Sequence, residues 1–154
     1  MADYFTNFSL QLRLPDEAAQ TYALNLAEQA SRIRYHDEPP DSFPAELQAN
    51  LEDWCFEVEA DVVEEQPALW LHSSDGGIDA ACAFIQHLLQ KLALPEVVTF
   101  QWSNDCSKPR LDAYGGGAAI VTAREVKTMS TCQWLHQNTP DAAPSFQLQP
   151  PTPN

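Results

Sequence analysis

Residues 54–63 alternate with a period of two: Trp54, Phe56, Val58, Ala60 and Val62 fall on one side, Cys55, Glu57, Glu59, Asp61 and Val63 on the other. Successive strand side chains point to opposite faces, so this pattern puts one face in a core and turns a row of carboxylates to water. Such a strand calls for an antiparallel sheet covered on one side only. Residues 64–67 form a turn of about four residues and residues 68–73 return, which predicts a hairpin.

The flanking segments fit the same architecture. Phe8, Leu10, Leu12 and Leu14 alternate with Ser9, Gln11 and Arg13 as a first strand. Pro15, Asp16 and Glu17 then open a helix, because proline has no amide to orphan and carboxylates favour the positive helix end. Ala19, Tyr22, Leu26, Ala30 and Ile33 carry its buried stripe to about Arg34. A proline-rich linker, 36–43, precedes a short amphipathic segment at 44–52. After Ser74, Asp75, Gly76 and Gly77 a second helix carries Ile78, Ala81, Cys82, Ile85, Leu88, Leu89 and Leu92, and Pro95 ends it. Val98, Phe100 and Trp102 mark a fourth strand. A loop at 104–117 leads to an extra strand at 118–121, and Thr122 with Glu125 matches a capping box for a last helix bearing Val126, Met129 and Cys132. The fold class is therefore α+β, a ferredoxin-like βαββαβ sandwich with helices on one face, plus a C-terminal strand and helix. Residues 1–137 form one domain. Residues 138–154, with five prolines, form a disordered tail.

Charge is distributed as unevenly as hydropathy. The 154 residues include 22 Asp and Glu against 8 Lys and Arg, for a net charge of -14. Residues 1–90 hold 17 acidic and 3 basic side chains, so they carry all of it; residues 91–154 are neutral. No Lys or Arg occurs between Tyr35 and Gln90. Direct nucleic-acid binding is excluded, since it requires Lys and Arg to neutralise phosphate, and attraction to an anionic membrane fails for the same reason. Neither a long apolar run nor a secretory leader is present, and the four cysteines form no CxxC pair, so a cytoplasmic protein with reduced, mostly buried thiols is expected.

Two candidate sites follow. The carboxylates Glu57, Glu59 and Asp61 recur at about 6.6–7 Å along one strand face, comparable to phosphate spacing, and Glu64, Glu65, Asp37, Glu38, Asp41, Glu52 and Asp53 extend the patch. Such a surface suits a basic protein partner and could stand in for nucleic acid, although solubility alone also accounts for an acidic face. The second site is the loop 104–117, where Lys108, Arg110 and Tyr114 precede Gly115, Gly116 and Gly117 and could grip an anion or nucleotide; a glycine turn packing tightly under Tyr114 is the simpler reading.

Other chemistry finds less support. Cys106 could be a nucleophile with His72 as base and Asp75 or Asp105 as orienter, but nothing in the sequence brings them together. Cys132 and His136 have metal-ligand spacing without a second ligand pair. His36 and His87 fit solvated roles, while Trp70, Trp102 and Trp134 fit the core. No metal, cofactor or catalytic set is assigned, and the oligomeric state is open.

Through FTNFSL, LWLHSSDGG, FQWSNDCSKPRLDAYGGGAAIVTA and the later QWL, the chain resembles an uncharacterised family of small acidic proteins of bacteria, phages and plasmids. The shared motif is WSxxCSKPRxDxYGGGA, and the similarity spans residues 4–137. The resemblance implies a mobile-element setting and no particular activity. Together these features predict a non-enzymatic acidic interaction protein, a counter-defence inhibitor by nucleic-acid mimicry being its sharpest form. The alternatives are an immunity-type protein neutralising a basic nuclease and a small-molecule binder built on the glycine loop.

Overall fold

Alternating residues from Tyr4 onward put Phe8, Leu10 and Leu12 into the core and leave Ser9, Gln11 and Arg13 on the opposite face. This is β1 (Tyr4–Arg13) of a computed structural model that describes residues 1–35 and 37–141. Asp16 accepts the Ala19 amide at 2.8 Å and starts α1 (Glu17–Tyr35), whose core face is mostly alanine and so sits close to the sheet. The linker leads through α2 (Ala45–Gln48) to the hairpin β2 (Glu57–Val63) and β3 (Gln66–Ser73). Then come α3 (Ile78–Lys91), β4 (Val98–Cys106), β5 (Gly115–Val121), β6 (Val126–Ser130) and α4 (Thr131–Asn138).

The chain is thus α+β, with a six-stranded sheet in the order β2-β3-β1-β4-β5-β6 and every neighbouring pair antiparallel. One core joins the inward faces of the strands to α1, α2 and α3, with Phe84, Leu69, Leu71, Ile85, Leu88 and Leu89 fully enclosed. Gln20 of α1 pins the helix to the hairpin by donating to the carbonyls of Asp61 (3.0 Å) and Ala68 (2.8 Å).

Several expectations are corrected. The hairpin turn has two residues, Glu64 and Glu65, rather than four, and both have positive φ (50° and 65°), the geometry that matches strand twist in a tight turn. Residues 126–130 are strand, not helix, so two strands rather than one follow β4. The Thr122 hydroxyl does accept the Glu125 amide, at 3.1 Å, but this bond closes the β5–β6 hairpin; the cap of α4 is Ser130, which accepts from Gln133. Trp70 is 39% and Trp134 51% exposed, on the open sheet face and on α4, instead of in the core. Trp102 packs against the core as expected. Cys82 is buried, Cys55 and Cys106 are half-buried, and Cys132 is exposed. Of the expected tail, Asn138 closes α4, and residues 142–154 lie outside the described residues, as does His36.

Candidate functional site

The carboxylates of β2 share the open face because strand alternation sends Val58, Ala60 and Val62 to the other side. Glu57 lies opposite His72 and Glu59 opposite Trp70. His72 Nε2 is 2.6 Å from Glu59 and 3.6 Å from Glu57, its ring stacks on Trp70 at 3.9 Å, and the indole N–H donates to Ser9 at 2.8 Å. The side chains of Glu57 and Glu59 nevertheless remain 74% and 53% exposed. Asp61 differs: it accepts Gln11 at 2.6 Å and the Val62 amide at 2.8 Å, so its carboxylate is spent within the sheet. The donor atoms of Glu57, Glu59 and His72 lie within 4.8 Å of one another and, among the described residues, are the set that could hold a divalent ion, an imidazole with two carboxylates suiting a zinc-like metal. Hydrogen bonding by His72 accounts for the arrangement without one.

The remaining acidic residues separate by role. Glu64 pairs with Arg13 at 2.9 Å, and Glu65 is exposed at the turn tip. Asp37, Glu38, Asp41 and Glu52 are exposed along the connection from α1 to β2. Asp53 is half-buried and accepts the Ala80 amide at 3.2 Å, capping α3, whose N-cap position, Gly77, has no side chain to do so. Asp53→Ala should therefore cost about 1 kcal/mol, read as a lower urea midpoint, whatever Asp53 contributes to binding.

The glycine segment is not a loop through 117. The loop is 107–114, and Gly115, Gly116 and Gly117 belong to β5. A Cβ on Gly117 would enter the Trp102 indole and strike the Met129 carbonyl, and one on Gly116 would strike the Trp102 carbonyl. Gly116 and Gly117 thus pack closely, as the simpler reading held for the glycines, but their partner is Trp102 rather than Tyr114, while a Cβ on Gly115 would meet the Thr131 hydroxyl. Lys108, Arg110 and Tyr114 are exposed, and the Tyr114 hydroxyl donates to the Lys108 carbonyl at 3.3 Å. A cavity of about 660 Å³ lies between β5, β6 and α4, walled by Met129, Trp134 and Leu135 beside the glycines. A smaller one, about 370 Å³, meets Tyr114 together with Asp105 and Asp112. Neither Lys108 nor Arg110 lines either cavity. From β2 to β5 is four strand spacings, about 19 Å, so the acidic edge and the glycines form separate sites.

Cys106 and His72 are not brought together. Cys106 pairs with Tyr4 and His72 with Ser9, on different strands five β1 positions apart and on opposite faces. Cys82 is no nucleophile either: burial, aided by the Asp79 charge, pushes its thiol up to about 12. Cys132 and His136 are both exposed on α4, and no third donor joins them among the described residues.

One polar group was misjudged from the sequence. His87 is 7% exposed, not solvated, with Nδ1 2.6 Å from Glu46 and Nε2 2.7 Å from the Tyr22 hydroxyl. The triad joins α1, α2 and α3. Hydrogen bonds from its own backbone amide and from His87 hold the Glu46 carboxyl below its ordinary value, while burial and then the Glu46 charge raise Tyr22. The clue available in the sequence was position, since His87 sits three residues after Phe84 and one before Leu88 in the apolar stripe.

No family model matches the sequence, and no curated protein matches it. Among solved structures, the apo form of LarC2, the C-terminal domain of a cyclometallase involved in the synthesis of the NPN cofactor of lactate racemase, aligns with 96% of this chain and 94% of its own. The two share 12% identity with a TM-score of 0.29. No helix among the described residues is long and apolar enough to cross a membrane.

Proposed function

We propose that this chain is a non-enzymatic, cytoplasmic interaction protein whose acidic hairpin edge engages a basic surface on a protein partner. The observation that carries this reading is the pair Glu57 and Glu59, exposed on an edge strand and separated by three strands from the glycine strand that follows the Lys108–Arg110 loop. Edge carboxylates also deter sheet-to-sheet aggregation, and the contrast between edge protection and partner capture is what an experiment must resolve. The strand order β2-β3-β1-β4, with α1 and α3 as the two crossovers, supports a ferredoxin-like core to which β5, β6 and α4 are appended.

Nucleic-acid mimicry is the finer form. With Asp61 engaged by Gln11 and Glu64 paired with Arg13, the mimicking groups of the hairpin reduce to Glu57, Glu59 and the turn residue Glu65. An inhibitor of a nucleic-acid-binding protein encoded by a phage or plasmid, and an immunity protein for a basic nuclease, would both use them. In a competition assay at low salt, the chain is expected to displace labelled duplex DNA from at least one member of a panel of basic-groove nucleases and DNA-binding proteins. Glu57→Lys with Glu59→Lys should weaken that displacement by about 100-fold while leaving the far-UV spectrum unchanged. Equal displacement by wild type and the double variant would remove the edge from the interface.

A second reading is favoured by the cavity beside Trp134. Its walls suit an apolar small molecule better than the anion expected from Lys108 and Arg110. A thermal shift with apolar ligands that disappears in Trp134→Ala would support it.

A further inference from the structure

We infer that the partner segment received at this edge is an extended strand, alternately apolar and basic, that adds to β2 as a seventh strand of the sheet. This rests on the reading that the partner is basic, and specifies the form the basic segment takes.

Backbone pairing is available on β2. Among the described residues the strand is paired on one side only, with β3. In an antiparallel hairpin closed by a two-residue turn, the residues flanking the turn are hydrogen-bonded to each other, and bonded and non-bonded positions then alternate. Val63 opposite Gln66 is that first pair, so Asp61, Glu59 and Glu57 also spend their backbone groups on β3, while Val62, Ala60 and Val58 direct theirs outward. The Val62 amide is the one Asp61 takes, which confirms its outward direction and closes that end of the edge. The stretch from Val58 to Ala60 is what stays open to an incoming strand.

A groove of about 440 Å³ lies beside this same stretch, between α1 and β2. Leu24, Ala27, Trp54, Phe56 and Val58 line it together with Glu28 and Ser31 of α1 and Glu57 and Glu59 of β2. A strand laid along β2 sends alternate side chains to opposite faces. One set enters the groove against Leu24, Ala27 and Val58; the other stands on the open face beside Glu57 and Glu59. The apolar wall of the groove therefore favours apolar residues and the carboxylates at its edge favour Lys or Arg, each at every second position. Backbone bonds would supply affinity and the alternate side chains specificity. A second copy of this chain is the wrong occupant, because pairing β2 with β2 would crowd the same carboxylates together.

The probe is a seven-residue peptide alternating Lys and Val, compared with a peptide of the same composition in which all Lys precede all Val. The alternating peptide is expected to bind at least about tenfold tighter, and to slow amide exchange at Val58 and Ala60. Ala60→Pro, which deletes an outward amide on an edge strand where proline is tolerated, should abolish that preference while both peptides keep their weak, salt-sensitive attraction. Equal affinity for the two peptides with no protection at Val58 and Ala60 would overturn strand addition and leave a basic partner intact. Failure of both peptides to bind at low salt would instead overturn the basic-partner reading and strand addition with it. Because exchange is measured on the wild-type chain, the conclusion does not depend on the proline variant folding.

Discussion

Gly117→Ala is expected to destabilise the domain by about 3 kcal/mol, the upper part of the range for overpacking a core. That corresponds to a fall in melting temperature of about 6–12 °C for a chain of this size. A strand glycine normally gains from substitution by alanine, so the sign itself is diagnostic. Trp102 and Gly117 are directly opposite in the β4–β5 ladder, and the indole lies where a Cβ would stand. On the other side is the Met129 carbonyl of β6, which cannot retreat as a flexible side chain would. Both obstacles are large or fixed, so the sheet must open. Trp102→Leu should cost stability in the wild-type background yet recover part of the loss in Gly117→Ala, and that non-additivity in a double-mutant cycle is the measurement. Additive effects would show that the glycine is needed for some reason other than Trp102.

The same contact explains why this segment misleads as sequence. Consecutive glycines after Lys108 and Arg110 resemble an anion cradle, because the property that admits a phosphate, absence of a side chain, also admits an indole. Nothing local tells the two apart; the cross-strand partner does. The elements that were legible with a buried face are β1, α1, β3, α3 and β4, whose periodic apolar positions reach the core; β2 shows the same alternation, but only Val58 packs against the core and Ala60 and Val62, expected inside, are exposed. β6 was missed because its five residues, Val126 to Ser130, carry no run of alternating apolar positions in the sequence, and none of them is buried. The bond between Thr122 and Glu125 was foreseen, but a helix start and a hairpin turn can use the same hydroxyl-to-amide contact. Trp70 was assigned to the core by its strand register, yet Leu69 and Leu71 take the core face and leave Trp70 on the open one, where stacking on His72 and a bond to Ser9 occupy it. For the acidic surface, spacing revealed that Glu57, Glu59 and Asp61 share a face. Only the packing revealed that Gln11 and the Val62 amide use Asp61 and that Asp53 caps α3.

The Tyr22–His87–Glu46 triad should dominate the response of this domain to His87 substitution. His87→Ala removes a buried ring and strands two partners, for an expected loss of about 3 kcal/mol. Glu46 is half exposed and water can replace part of its bond, so Glu46→Gln should cost no more than about 1 kcal/mol. The carboxylate only accepts, so the His87 Nδ1–H donates to it; in the tautomer with its proton on Nδ1, Nε2 accepts from the Tyr22 hydroxyl. The pH dependence gives the test specific to this arrangement. Because the folded Glu46 carboxyl sits below its ordinary 4.5, its stabilisation is complete above that value and disappears as pH falls through the lowered one. Tyr22 has the opposite shift, so the stability tied to its neutral hydroxyl holds below its ordinary 10.0 and is lost as pH rises through the raised value. Subtracting the Glu46→Gln stability profile from that of wild type should leave a difference that vanishes at the acid end, and Tyr22→Phe a difference that is present below about pH 10 and vanishes at the alkaline end. The subtraction cancels the acid response of the other carboxylates, whose mutual repulsion weakens as they protonate. If His87→Ala instead costs no more than Glu46→Gln, the imidazole contributes only a surface bond, and α2 is held to α3 by Leu47 and its neighbours alone.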